Sequence, residues 1–488
     1  MASTAVNIGI HSLTPTMEMI SISHQGESSR SNYQKPLREL KQEEHHFMIN
    51  EQVTKYSEEA EKLQEEADLG STSCIYRVLP RLKEINGNSL YEPHMVSIGP
   101  YYYNLRDEKF KIAEDCKRKC FGSMLVKAEH QDIRCDIYEC CLQRISELEV
   151  DIRKCYSEEF EVAGIEFLEM MVVDACFIIE IIDMFGPRKE VDSSESLEAL
   201  AWMVPYFYRD FLLLENQIPF FVLQEIYMIT RKILDLRVSS SHLIYAALEF
   251  FKNRMKRLDL DIFDFTSMNV METNQCLHLL DLVRSSLMPF YYEQQRPEFP
   301  TETTFIHCVS KLRLAGIKVS PVKAHSFLEV KLKKGVIEMP NIAINDLMRC
   351  LLLNCVAFEQ CHKRSKKYFT VYATFLDCLV NTSEDIEYLR ERNVIDNYLG
   401  DDSEAADFIN RAGKDLVLNA DKGFYLGKLF KDVDKHYQNW LEWKWASFKR
   451  EFFDKPWLLL SAAGGILLVL ATSFQAVMAF LTYKYKKC

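Results

Sequence analysis

Two carboxylates lie in apolar parts of this chain, where a carboxylate either does chemistry or is neutralised. Asp174 falls near the apolar face of a predicted helix, and Glu215 follows a run of leucines that Arg209 and Asp210 precede. If Asp174 and Glu215 shared a cleft, they could act as general acid and general base in a hydrolysis. Alternatively, Arg209 neutralises carboxylates that would be costly to bury alone. We favour the structural interpretation, and the candidate polar network is Asp174, Arg209, Asp210 and Glu215.

A second polar pair, Glu359-Gln360, sits inside an apolar helical segment. Side chains of this kind can hydrogen-bond to backbone where two helices cross. We therefore expect a structural contact here rather than a site.

The cysteines favour neither a metal site nor a nucleophile. Fifteen cysteines are scattered along the chain, and several lie inside apolar runs, as small buried hydrophobic residues do in a reducing compartment. Adjacent residues rarely face each other, so Cys361 and His362 make a poor nucleophile–base pair. The clusters with some metal-binding character lack the C-x-x-C pairs that zinc favours: Cys116 with Cys120, Cys135 with Cys140 and Cys141, and Cys361 with His362. We expect no metal, no cofactor and no catalytic residue, and lean away from an enzyme.

The C-terminal region predicts a membrane-spanning helix. Residues 457–481 contain no ionisable side chain. As a helix they reach about 37 Å, enough to cross a hydrocarbon core of about 30 Å. Aromatic and basic residues flank the segment, as is typical of membrane interfaces. The interface anchors are Trp457, Tyr483, Lys484, Lys486 and Lys487, and the lipid bilayer is the first predicted partner.

The N-terminal sequence lacks the charged and apolar regions of a signal peptide. We therefore expect a tail-anchored protein with its large domain in the cytosol, at the plasma membrane or an endomembrane. Four basic residues precede the span and three follow it, so the positive-inside rule gives no clear bias. A glycosylation sequon at Asn381 matters only if the orientation is inverted.

The formal net charge of −12, without a basic stripe, argues against nucleic acid as a partner. Hydrophobic residues make up 48% of the chain, which is ample for a large core. A protein partner of unknown identity is the remaining expectation.

The hydrophobic periodicity predicts a mainly α fold: a large multi-helix domain, a small β-hairpin and one C-terminal transmembrane helix. Apolar residues keep a 3- and 4-residue spacing through residues 160–185. Apolar and charged residues alternate around Lys334-Gly335, which predicts the hairpin. The predicted organisation is a largely disordered polar arm at 1–70 with a charged helix around 51–69, a first helical lobe at 71–288, a second helical lobe at 289–455 with the hairpin near 327–340, the transmembrane helix at 457–481, and a short basic tail at 482–488.

Several strings, in order, resemble the plant family catalogued as domain of unknown function 247, also called uncharacterised protein family 0481. The resemblance implies a plant protein, mainly helical, with one C-terminal membrane helix, and no assigned reaction. Some relatives are genetically tied to pollen–stigma recognition in grasses, which implies recognition or signalling rather than metabolism. The matching strings are Cys74–Val78, Tyr91–Pro100, Met170–Phe177, Arg209–Phe221, His278–Leu282, Ala357–Cys361 and Phe452–Trp457.

Two departures limit what the resemblance implies. The family usually shows a histidine pair where this chain has Tyr102 and Tyr103. Tyrosine replaces imidazole poorly as a metal ligand or a general base, so neither role carries over. The family's Arg-Val-Pro also reads Arg77–Pro80 with an inserted leucine.

Two classes of function therefore stay open: a membrane-tethered interaction or signalling module, which we favour, and a membrane-anchored hydrolase using paired carboxylates. Self-association through Ser461 and Gly465, a small-xxx-small pair within the span, is a minor third hypothesis.

Overall fold

The computed structural model describes residues 37–69, 72–129, 134–185, 202–233, 239–255, 276–289, 305–418, 424–439, 443–444, 447 and 456–485. The chain divides into two compact units, residues 1–71 and residues 72–488.

The described residues of the first unit form one helix, α1, at Leu37–Leu69. The sequence predicts a charged helix only around 51–69, but the helix begins at Leu37. Residues 37–44 are leucine, arginine, glutamate, lysine and glutamine, all good helix formers, which explains the earlier start. The expectation of disorder for residues 1–36 concerns residues outside those that the structure describes.

Helices dominate the second unit, as the sequence predicts, and the mainly α fold class is confirmed. They are α2 Pro80–Asn86, α3 Lys111–Glu129, α4 Arg134–Lys154, α5 Gly164–Phe185, α6 Val204–Asp210, α7 Phe220–Ile233, α8 Ser240–Met255, α9 Leu279–Ser286, α10 Val309–Leu314, α11 Asp346–Cys361, α12 Tyr368–Leu379, α13 Ser383–Glu391, α14 Asp402–Ala412, α15 Gly427–Tyr437 and α16 Pro456–Tyr485.

In the part of the second unit that the structure describes, five short strands form two small sheets: β1 Lys318–Pro321, β2 Lys331–Lys333, β3 Val336–Met339, β4 Ile342–Ile344 and β5 Ile395–Asn397. The predicted hairpin is present, with β2 antiparallel to β3 and Leu332 opposite Ile337. Lys334 and Gly335 have φ of 50° and 75°, the left-handed conformation that a two-residue hairpin turn requires. Two partners that the sequence does not predict are parallel: β1 pairs with β3, and β4 pairs with β5.

The core of this unit is built around α5, because its central turns are buried on nearly all sides. Phe167, Phe177 and Ile182 are fully buried, and α3, α4, α7 and α8 contact this helix. Buried side chains of both predicted lobes belong to one hydrophobic cluster. The boundary between lobes at residues 288–289 stays a prediction.

The C-terminal helix α16 is 30 residues long, and residues Ala463–Tyr483 are apolar enough to span a membrane. None of its most apolar window is buried against protein. Trp457 and Tyr483 are exposed near its two ends. Of the other predicted anchors, Lys484 lies within the helix, whereas Lys486 and Lys487 lie outside the described residues.

Candidate functional site

Two of the four candidate polar residues, Asp174 and Asp210, bind one loop, residues 93–100, which we call the PG loop after its terminal prolines and its glycine. The Asp210 carboxylate at the end of α6 accepts hydrogen bonds from the backbone N–H groups of His94, Met95 and Val96, at 3.1, 2.7 and 3.0 Å. Arg209 donates to the Asp210 Oδ1 atom at 2.9 Å. Burial raises the pKa of Asp210, while these four donors act in the opposite direction.

Asp174 lies on α5 at the other end of the PG loop and is fully buried. Its carboxylate contacts Arg106 Nη2 at 2.6 Å and Lys117 Nζ at 2.7 Å, and it accepts the Gly99 N–H at 2.8 Å. Glu114 lies 2.6 Å from Lys117 Nζ. Two cations and two carboxylates therefore balance in the interior. Burial alone would raise the pKa of Asp174, but Arg106 and Lys117 hold it below its ordinary value.

Glu215 is also buried, and it fixes the chain that precedes α2. It accepts the Val78 N–H at 2.7 Å, contacts Lys83 Nζ at 2.7 Å and Arg77 Nη1 at 3.1 Å, and accepts the Tyr102 hydroxyl at 2.6 Å. Burial opposes ionisation of Glu215, but Lys83 and Tyr102 hold its pKa below the ordinary value. The Tyr102 hydroxyl thus serves as a donor to this carboxylate.

The side-chain amide of Asn216 and a close approach to the backbone of Gln217 complete the fixation of the PG loop. Asn216 accepts the Ile98 N–H at 2.7 Å and donates to the Val96 carbonyl at 3.0 Å. Gly99 has φ +70°, and a Cβ there would lie 2.6 Å from the Gln217 carbonyl oxygen. Only glycine fits this position, because the loop approaches the backbone of the following segment so closely.

Asp174 and Glu215 therefore serve different segments of the chain. Among the described residues, no hydrogen bond or salt bridge joins the two carboxylates, and each is occupied by its own cations and N–H donors. Their lowered pKa values keep both ionised at neutral pH. A general acid requires a proton at working pH and access to the substrate, and neither carboxylate meets those requirements. The arrangement suits a structural anchor.

The sequence does not predict the cationic partners of these carboxylates, which are Arg77, Lys83, Arg106 and Lys117. None lies in an apolar periodic segment, so their charge predicts an exposed position. A weak signal exists for Lys117, which follows Glu114 by three residues in a helix and can pair with it.

A second buried network links α9, α11 and α12. Glu359 accepts the Thr370 N–H at 2.8 Å and contacts Arg284 Nε at 3.0 Å. Arg284 also contacts Asp281 Oδ1 at 3.1 Å. Glu359 binds backbone where α11 meets α12, the kind of contact expected from its place in an apolar segment. Burial raises the pKa of Glu359, and Arg284 opposes the shift.

His278 begins α9 and is fully buried. Its Nδ1 accepts the Asp281 N–H at 3.2 Å, so Nε2 carries the hydrogen and donates to the Cys74 carbonyl at 3.1 Å. Burial lowers the pKa of His278 to about 4. The imidazole is therefore a neutral helix cap that ties α9 to the start of the folded body.

Within the described part of the chain, no three histidine, cysteine or acidic side chains are grouped as a metal would require. Cys361 Sγ lies 4.0 Å from the Arg77 carbonyl oxygen, whereas His362 Nδ1 bonds to the Tyr76 hydroxyl at 2.9 Å. The two side chains thus face different partners. Cys116 and Cys120 are buried on α3.

An open groove of about 610 Å³ lies between α3, α4 and α5. It is lined mainly by Leu125, Tyr138, Leu142 and Leu168. Asp174 and Glu215 do not line this groove, so a ligand bound in it would not contact the proposed acid–base pair.

Comparisons with known proteins agree on one group. Residues 75–471 match the model of domain of unknown function 247, described as plant protein of unknown function. A UPF0481 protein of Arabidopsis thaliana is 31% identical over 432 residues, covering 84% of this chain and 87% of the relative. A putative UPF0481 protein of the same plant is 22% identical over 528 residues, covering 89% and 95%. No solved structure matches.

Proposed function

This chain belongs to the plant family of domain of unknown function 247, and we propose that it is a membrane-tethered recognition or signalling module whose helical body faces the cytosol. The observation that carries the proposal is α16, a 30-residue helix with an apolar surface that no other part of the structure covers. Exposing such a surface to water is unfavourable, and a bilayer removes it from water at once.

The second support is the way in which the body uses its polar residues. Asp174, Asp210 and Glu215 bind backbone N–H groups of the PG loop and of residue 78. Cations neutralise each of them inside the protein. Such groups hold a buried loop in one conformation and so make the body rigid, which suits a module that binds another macromolecule.

The alternative, a membrane-anchored hydrolase using paired carboxylates, receives no support from Asp174 and Glu215. A hydrolase of that type needs one carboxyl group that is protonated near neutral pH and a substrate cleft between the two groups. Both pKa values are instead lowered, and both side chains are buried among cations. We therefore propose a protein partner in the cytosol, at the plasma membrane or an endomembrane.

The proposal is tested by exchanging the tail. Three chains are expressed in plant cells: the full chain, a chain ending before Pro456, and a chain in which an unrelated apolar tail anchor replaces residues 456–485. Because the tail is proposed to act only as a tether, proximity labelling from the body should give the same neighbours for the first and third chains. The second chain should be released from membranes.

Two results would refute the tether. The shortened chain would still sediment with membranes after a high-salt wash, or the exchanged tail would change the labelled neighbours although the protein remains in the same membrane. The second result would assign recognition to α16 itself.

A further inference from the structure

The helix α1 has large apolar side chains that are exposed to solvent. Ile49, Val53 and Tyr56 are 58%, 59% and 67% exposed. They are separated by four and then three residues, so they lie on one stripe of the helix. An exposed apolar stripe of this kind is uncommon on a soluble helix unless another helix covers it.

The stripe continues with heptad spacing. Ala60, Leu63 and Ala67 extend the same alternation of four and three residues toward the end of α1. If Val53 is an a position, then 60 and 67 are also a positions, while 49, 56 and 63 are d positions. From residue 49 to residue 67 the stripe is about 27 Å long. Its period of 3.5 residues is that of a left-handed coiled coil.

On the other side of α1, the apolar side chains of Phe47 and Met48 are exposed near residue 48, and charged residues follow from Glu51 onward. Glu51 precedes Lys55 by four residues, and Glu58 precedes Lys62 by four, the order that stabilises a solvated helix. From residue 51 onward that side is polar, and the stripe is the longer apolar surface of α1.

We propose that the partner is a second copy of this chain, paired through α1 in a parallel two-stranded coiled coil. Val53 at an a position and Leu63 at a d position match the preference of parallel dimers. Parallel pairing places Glu59, at a g position, opposite the uncharged Gln64 of the second copy. Antiparallel pairing would set g positions against g positions, and these include Glu59 and Glu66.

This inference goes beyond the proposed function and does not rest on the membrane tether, because it concerns residues 37–69 alone. A protein without the tether would still dimerise, and a tethered protein that failed to dimerise would leave the tether intact.

The test uses two differently tagged full-length copies that are co-expressed and solubilised in mild detergent. Val53→Glu puts a charge into the seam and should abolish co-precipitation of the second copy. Phe47→Glu is the matched control, since Phe47 is 71% exposed but lies off the stripe, and it should leave co-precipitation unchanged. Unchanged thermal unfolding in both variants would show that the body stays folded.

Disulfide trapping shows whether the two α1 helices pair in parallel or antiparallel orientation. Val53→Cys alone and Leu63→Cys alone should each give a covalent dimer on mild oxidation, beyond that of the unaltered chain, whereas Lys55→Cys on the polar side should not. The proposal is overturned if Val53→Glu does not reduce association or if Phe47→Glu reduces it equally. It is also overturned if the dimer forms only when Val53→Cys and Leu63→Cys chains are mixed, which would indicate antiparallel pairing.

Discussion

At the scale of single residues, the body depends on buried charges whose partners are all internal. Asp174 is the central case, because it holds the Gly99 N–H and neutralises both Arg106 and Lys117. Removing one member of such a set leaves a buried charge without a partner. The resulting loss of folding free energy is larger than the net stability that the complete set contributes.

Asp174→Asn should therefore destabilise the protein by about 3–5 kcal/mol. The amide keeps the shape of the carboxylate but leaves two buried cations with Glu114 alone. The matched control is Asp151→Asn, since Asp151 has a 67% exposed side chain and a 3.3 Å salt bridge to Lys154. This control should change stability by less than about 1 kcal/mol. Thermal unfolding of the detergent-solubilised chains measures both.

A catalytic carboxylate would behave differently, because residues at active sites are often replaced at little or no cost in stability. If Asp174→Asn unfolded at the same temperature as Asp151→Asn, or above the unaltered protein, the structural interpretation of Asp174 would fail.

His278 makes stability depend on pH. Its pKa in the folded protein is about 4, below the value of about 6.5 for an unfolded chain. The unfolded chain thus binds the proton first, so stability is lost as the pH falls from about 6.5 toward 4, by up to about 1.4 kcal/mol per pH unit. The loss is complete once the pH passes the folded value.

His278→Asn should flatten this dependence, since asparagine can still cap α9 but does not titrate. Melting temperatures of both proteins from pH 7 to pH 4 give the measurement. His94 and His362, whose pKa values burial also lowers, should leave a residual slope. Parallel curves for the two proteins would show that His278 is not the titrating group.

At the scale of elements, the PG loop is a segment held by many side chains of other elements. It has no regular secondary structure, yet Asp174, Asp210 and Asn216 each bind its backbone N–H groups. Gly99 is the point where the loop meets the chain around Gln217.

Gly99→Ala should destabilise the protein by about 1–3 kcal/mol or more, because a left-handed backbone and a Cβ contact of 2.6 Å with a carbonyl oxygen both oppose it. Gly122→Ala on α3 is the control. No atom lies within 4 Å of a Cβ at that position, so alanine should stabilise the helix by about 0.5–1 kcal/mol. Urea unfolding of the three chains measures both changes, and equal midpoints for the two variants would contradict the close packing of the loop.

Element types were predictable here where periodicity is strong. The apolar spacing of α5 and the alternation around Lys334-Gly335 report burial and turn geometry directly. The parallel strands β1 and β4 were not predictable, because each is only three or four residues long and pairs with a distant segment. Long-range pairing also explains why the sequence identifies Asp174 but not its partner Arg106. The two residues are 68 positions apart in the chain.

At the scale of the whole molecule, a helical body is followed by one apolar helix, α16. The side chains of α16 from Ala463 to Tyr483 have no protein neighbour that would bury them. Asn381 is exposed and belongs to a sequon, so it reports the compartment in which the body resides.

The measurement that tests this account most directly is protease protection of microsomes, washed in alkaline carbonate, that carry the protein tagged at both ends. We expect the protein to remain in the pellet, the N-terminal tag to be digested and the C-terminal tag to survive. Release by carbonate would contradict the membrane tether. A protected N-terminal tag together with glycan on Asn381 would contradict the cytosolic orientation and make the body a candidate surface receptor.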